Sequence, residues 1–233
     1  VKATASPRAG RASAARWTAR DIAWLIARLR RHRAAVRSTT LAEVESDRDP
    51  FRLLIACVVS LRTKDVVTAQ ASRRLFEAAA TPSAVSALAA SEIARLIFPA
   101  GFYNTKAGQI HSIALELLRL HDGRVPADRD ALLKLPGVGR KTANLVLGLG
   151  FGIPAICVDT HVHHISNRLG LVSTRSPEQT EQALEAILSR RYWIEINDLL
   201  VTFGQNVCHP TSPRCSRCPV TVRCRRVGVE RSR

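Results

Sequence analysis

Four of the six cysteines, Cys208, Cys215, Cys218 and Cys224, crowd into residues 208–224 with six, two and five residues between them. Core packing has no need for such a spacing, so the segment reads as a loop closed by chemistry other than hydrophobic contact. The N-terminus lacks the long apolar core of a secretory signal. A cytoplasmic, reducing location is therefore the expectation, and there thiols seldom pair as disulfides. Four thiolates then imply a tetrahedral zinc or an iron–sulfur cluster, and the donor set alone leaves both open. The remaining two, Cys57 and Cys157, stand singly in apolar runs and read as buried thiols.

The charge balance narrows the partner. Lys and Arg number 35 against 19 Asp and Glu, a formal charge of +16 over 233 residues. A polyanion is the natural complement, nucleic acid above all. An anionic membrane surface, or the Arg and Ala bias of a GC-rich genome, would produce some of the same excess. No stretch reaches the roughly 20 apolar residues that span a bilayer, so no membrane partner is expected. Hydrophobic residues at 46% and charged residues at 23% suit one or two globular domains.

Periodicity and caps point to an all-α fold of about ten helices. Residues 1–16 carry almost no large apolar side chain and read as a basic tail. Thr18 and Asp21 form a capping-box pattern ahead of Ile22, Leu25, Ile26 and Leu29. Asp49-Pro50, Thr81-Pro82, Ser91-Glu92 and Ser176-Pro177 mark further starts, and Ile110, Ile113, Leu117 and Leu120 repeat at helical intervals. The apolar stretch 153–158 reads as a buried connector.

Two places can carry chemistry. Leu135-Pro-Gly-Val-Gly-Arg-Lys141 sits between helical patterns, and its glycines permit a tight turn. The amides of Gly137, Val138 and Gly139 would then face outward where a helix begins, a setting that grips phosphate without reading sequence. The plain alternative is a linker in which Gly139 only permits packing. Lys141, near a helix start and other cations and partly desolvated, would be an activated amine; otherwise it is a point charge for phosphate. Asp159 follows the connector and could simply cap the next helix. His161, His163 and His164 are not spaced to share one helical face as metal ligands.

The ten residues Leu135-Pro-Gly-Val-Gly-Arg-Lys-Thr-Ala-Asn144 resemble the helix-hairpin-helix of the endonuclease III family. Val158-Asp-Thr-His-Val162 with Asn167-Arg168 resembles that family's second signature, and the cysteine spacing resembles its cluster loop. The resemblance covers about residues 20–225. It implies a two-lobed helix-hairpin-helix DNA glycosylase fold: a helical barrel over 43–153, and an iron–sulfur lobe of 17–42 with 154–228, leaving 229–233 as a tail. It implies a [4Fe-4S] cluster on Cys208, Cys215, Cys218 and Cys224, with Lys141 as nucleophile and Asp159 as the essential carboxylate. The implied partner is double-stranded DNA containing damaged bases or abasic sites, bound by a monomer. The implied activity is removal of oxidised pyrimidines and β-elimination at the abasic site.

Extruding a base calls for side chains that enter the stack. By the same resemblance Arg62, where relatives often carry Gln, and Phe102, where Leu is common, are the candidates; core anchoring is the alternative for Phe102 and Tyr103. Arg140 and Arg214 would contact the backbone, and the last twenty residues hold seven arginines against Glu230. His164 replaces a common Arg, which predicts a weaker or pH-sensitive backbone contact. A mismatch-thymine or ultraviolet-photoproduct glycosylase fits the pattern too, and a non-catalytic DNA-binding module would leave the lysine and aspartate together unexplained.

Overall fold

The computed structural model describes residues 17–36 and 49–233. The expected tail at 1–16 and the lobe boundary near 42–43 lie outside the described residues. Eleven α-helices and no strand occur among those that are described, so the fold is all-α as expected.

The first helix, α1 (Ala19–Ala35), starts at Thr18 with both capping-box bonds formed: Asp21 N donates to Thr18 Oγ1 at 3.2 Å and Thr18 N to Asp21 Oδ2 at 3.0 Å. After the undescribed segment, Asp49 caps α2 (Pro50–Ser60) by accepting from the amides of Phe51 and Arg52. Seven successive residues of α2, Leu53 to Val59, are buried. This helix is the central member of the first core. Around it stand α3 (Asp65–Ala78), α4 (Pro82–Ser86), α5 (Ala90–Ile97), α6 (Tyr103–Leu120), α7 (Arg129–Lys134) and α8 (Arg140–Leu145). A single π-helical turn, Val146–Gly150, extends α8. Helix α5 begins at Ala90, one residue before the Ser91 start read from the sequence, and Ser91 makes no cap bond. In α6 the stripe of Ile110, Ile113 and Leu117 is buried, but Leu120 is exposed because the helix ends there.

The second core joins α1 to α9 (Thr160–Leu169), α10 (Pro177–Ile187) and α11 (Glu195–Asn206). Its outer edge is tied by charge: Arg30 grips Glu195 with two bonds of 2.6 and 2.9 Å, Arg33 meets Asp198 at 2.7 Å, and Arg223 reaches Asp21 at 2.7 Å. Beyond α11 only short 3-10 turns occur, Cys215–Arg217 and Thr221–Arg223. The final residues do not trail away. Arg233 donates its amide to Pro213 O at 2.8 Å and accepts from Ser216 N at 3.0 Å, closing the chain end over the cysteine loop.

Between the cores runs the connector. Ala155 and Cys157 enter the first core while Ile156 and Val158 enter the second. This is the two-residue alternation of an extended chain, serving a lobe junction instead of a sheet. Ile153, at its start, is exposed.

Candidate active site

Two side-chain amides fix the connector. Asn144 of α8 donates to Ile156 O at 2.9 Å, and Asn197 of α11 donates to Cys157 O at 3.1 Å. Asp159 follows at once and caps α9, accepting from Val162 N at 2.8 Å. The capping role expected of it is therefore present, and it occupies one carboxylate oxygen, Oδ1. Lys141 projects from the first turn of α8. Both side chains line one cavity of about 240 Å3 at the junction of the lobes. Lys141 is exposed at its edge, so the partial desolvation expected of it is absent in the free protein; anything that dries the amine must come from the bound partner.

The cavity has walls beyond the two residues singled out for chemistry. Ser60, Leu61 and Thr63 come from the end of α2 and the loop after it, and His161, Asn197, Asp198 and Gln205 come from the second lobe. Gln205 Nε2 reaches Asp65 Oδ2 at 3.4 Å across the junction, and Asp198 is neutralised by Arg33. Gly204 makes room for His161, whose Nδ1 would lie 2.3 Å from a Cβ at that position. Gly204 was the available signal: a glycine inside a strong helix pattern marks close approach. The other histidines point elsewhere. His163 Nδ1 bonds Thr180 Oγ1 at 2.6 Å. His164 has a buried, unpartnered Nε2, and burial, reinforced by Arg168 and the two neighbouring histidines, pushes it down to about 4. Burial thus disfavours the charged imidazole that a phosphate contact would use, in keeping with the weaker contact, one of the two alternatives expected there.

In the hairpin, Val138 N donates to Leu135 O at 3.1 Å. Its amide closes the turn and does not face outward, and its side chain is buried. Of the three amides expected to face a ligand, those of Gly137 and Gly139 remain. Gly137 has φ +75°. Gly139 has an ordinary φ of −97°, and a Cβ there would meet nothing within 4 Å. Packing inside the chain thus does not explain Gly139. Arg140, expected at a DNA backbone, instead spends its guanidinium on the buried Glu181 of α10, at 2.9 and 3.3 Å. Glu181 also meets Arg129 at 3.5 Å, so this pair of arginines joins the hairpin to the second lobe.

Arg62 and Phe102 lie on separate loops but adjoin: the guanidinium carbon sits 5.5 Å from the ring centroid. Phe102 is 62% exposed, which rules out core anchoring for it. Tyr103 does anchor, packing on the first core and edge-on to Phe98 at 5.3 Å. Arg214 is exposed beside the cysteine loop, with one bond to Asn206 O at 3.4 Å.

All four clustered cysteines line a single cavity closed by Leu169, Phe203, Val207 and Val229. Arg168, only 4% exposed, donates to Cys208 Sγ at 3.5 Å and to the carbonyls of His209 and Pro210 at 2.8 Å each. Burial raises the thiols of Cys208, Cys218 and Cys224, Cys218 to about 11. Among the described residues no three His, Cys, Asp or Glu side chains stand in an arrangement that would hold one metal ion.

The arrangement of a glycine hairpin, an amine and a carboxylate at a lobe junction defines a class, that of helix-hairpin-helix repair proteins. Residues 55–190 match the model of the HhH-GPD superfamily base excision DNA repair proteins. Endonuclease III of Thermotoga maritima is 49% identical over 170 residues, 73% of this chain and 80% of that protein. Endonuclease III of Escherichia coli K12 is 38% identical over 75% of this chain and 83% of its own. Endonuclease III homolog 1 of Arabidopsis thaliana is longer, and this chain spans 48% of it at 44% identity. A trapped endonuclease III–DNA covalent intermediate superimposes with a TM-score of 0.73 at 40% identity, covering 76% of this chain and 84% of that one. A thermostable thymine-DNA glycosylase gives 0.78 at 25% identity over 87% and 94%. The chain belongs to the endonuclease III family. Membership makes it a base-excision-repair DNA glycosylase with abasic-site lyase activity.

Proposed function

We propose that this enzyme removes oxidised pyrimidines from duplex DNA as a monomer and cleaves the abasic site through a Schiff base on Lys141. The observation that carries the reading is that Lys141 and Asp159, on different elements, line one cavity with room for a single extruded base. Asp159 opposes the positive charge that develops at C1′ as the base leaves, and its oxygen not engaged with Val162 N is the one available to do so. The Lys141 amine, deprotonated, attacks C1′ and the base departs. The amine then loses its extra proton, and the C1′–O4′ bond of the aminal breaks with O4′ leaving as a hydroxyl; the iminium so formed acidifies the C2′ hydrogen, and loss of that proton expels the 3′ phosphate. Gly137 and Gly139 offer amides to the backbone, and the space beside Gly139 supports that approach.

The second lobe's cysteines fit an iron–sulfur cluster. A lone zinc needs four sulfurs within about 2.3 Å of one point, whereas a [4Fe-4S] cluster takes one thiolate per iron around a larger body. Four thiols lining one cavity suit such a cluster, one thiolate to each iron. Cys208, Cys215, Cys218 and Cys224 would hold it. Bound there, it would supply the cross-link that orders a loop with almost no helix of its own.

Borohydride reduction in the presence of abasic or oxidised-pyrimidine duplex DNA traps the wild type covalently, and Lys141→Ala abolishes trapping; an undiminished adduct in that variant sinks the assignment. A second reading, excision of mispaired thymine, draws on the likeness to the thymine-DNA glycosylase. A panel of lesion-bearing duplexes separates the two by relative rate.

A further inference from the structure

Lys106 is a lysine 3% exposed that makes no ion pair among the described residues. Burial alone pushes its amine down to about 8. A methionine would fill the same space without the penalty of burying charge. What the ammonium supplies is three donors, and each is used: Val59 O at 2.7 Å, Leu61 O at 2.5 Å and Thr63 Oγ1 at 2.9 Å. The first two acceptors lie at the carboxyl end of α2, where carbonyls lack helical partners and favour a cation.

The last two acceptors have a more particular placement, because they flank Arg62 on either side. Arg62 has φ +53°, a left-handed conformation that a non-glycine residue adopts only at a cost. Phe102 is in the same region at φ +57°, and its carbonyl accepts from the backbone amide of Lys106 itself at 3.0 Å. The two loops also touch directly. Gly101 N donates to the same Thr63 hydroxyl at 3.1 Å, and a Cβ on Gly101 would come within 2.5 Å of Arg62 O. One residue thus holds the neighbours of Arg62 with its side chain and the carbonyl of Phe102 with its backbone.

Resting on the glycosylase reading above, we propose that Lys106 is a positioning residue that locks Arg62 and Phe102 into one stacked probe of the base pair stack. Base extrusion depends on this lock, and the chemistry at Lys141 does not. An abasic nucleotide has no paired base to expel, so its processing needs the probe far less than excision does.

The test compares wild type with Lys106→Met on two duplexes: one bearing the lesion the wild type excises fastest, the other an abasic site. Excision is expected to fall about 30-fold or more, as misplacement of positioning groups does, with abasic cleavage within about 3-fold of wild type. Equal losses on both substrates, or no loss on either, overturn the proposal. Should Lys106→Met fail to fold, Lys106→Gln removes the charge and shortens the reach while keeping a polar end, and the same split between substrates decides. Failure of wild type itself to cleave abasic DNA would instead sink the underlying glycosylase and lyase reading.

Discussion

The two lobes solve the same packing problem with different means. The first closes on aliphatic side chains: α2 is buried on nearly every face, and Leu54, Ile55, Val58, Leu75, Ile93, Ile97, Ile110 and Leu117 are wholly inaccessible. Each such side chain contributes about 1.5–3 kcal/mol by burial. The second has an apolar interior of its own, yet its edges are held by ion pairs from α1, and residues 207–233 have only two short 3-10 turns. One lobe is self-sufficient, and the other would be stapled by the proposed cluster. That staple would fall on the lobe that carries Asp159, while Lys141, the proposed nucleophile, rides on the self-sufficient one.

Removing the staple should do the most damage. If the proposed cluster is bound, Cys218→Ser, or removal of the cluster by a chelator, is expected to cost the second lobe about 5 kcal/mol or more, since a bound metal centre's free energy is folding free energy. Calorimetry should resolve an early transition for that lobe and a later one for the barrel; a single unchanged transition would break the contrast. Next comes Leu54→Ala in the barrel, expected to cost about 3 kcal/mol through transfer and cavity terms, with excision retained at temperatures below the new midpoint.

The seam between the lobes is the third target. Glu181→Gln unpairs Arg140 and Arg129 from a carboxylate 3% exposed. About 2 kcal/mol is expected, less than for a fully enclosed pair because both arginines are partly solvated. Urea unfolding measures it. The smallest effect is acid weakening of the second lobe. Unfolded His164 takes up a proton near 6.5, whereas the folded one resists until about 4. Stability contributed by this residue is present above 6.5 and is lost as pH falls through that window. The expected loss is about 1 kcal/mol after allowance for the partly solvated ring, and His164→Gln should flatten the profile.

Much of this was legible in the chain. The caps at Thr18, Asp49, Thr81 and Ser176 were readable because capping is local chemistry, satisfied within four residues. Lys141 and Asp159 stood out through motifs, and the cavity brings them together. What the sequence did not signal was decided by partners remote in the chain or by the closing of a turn. Nothing in the neighbourhood of Arg140 signals that Glu181, forty-one residues later, claims it. The hairpin amides looked equivalent in sequence, yet the turn consumes that of Val138. Lys106 was invisible for the same reason, as its three acceptors lie more than forty residues away.

The side-chain amide of Asn144 has a consequence for how the enzyme can vary. Asn144 stands three residues after Lys141 on α8, and it grips the chain three residues before Asp159. The interval between amine and carboxylate is therefore gauged along one helical turn and a short taut span of backbone, without passing through the DNA-facing loops. Rocking of the lobes on a distorted duplex would carry both reacting groups together. If Arg62 and Phe102 act as the proposed probe, new residues at 62 and 102 would retune which damage is recognised while the reaction coordinate keeps its original calibration.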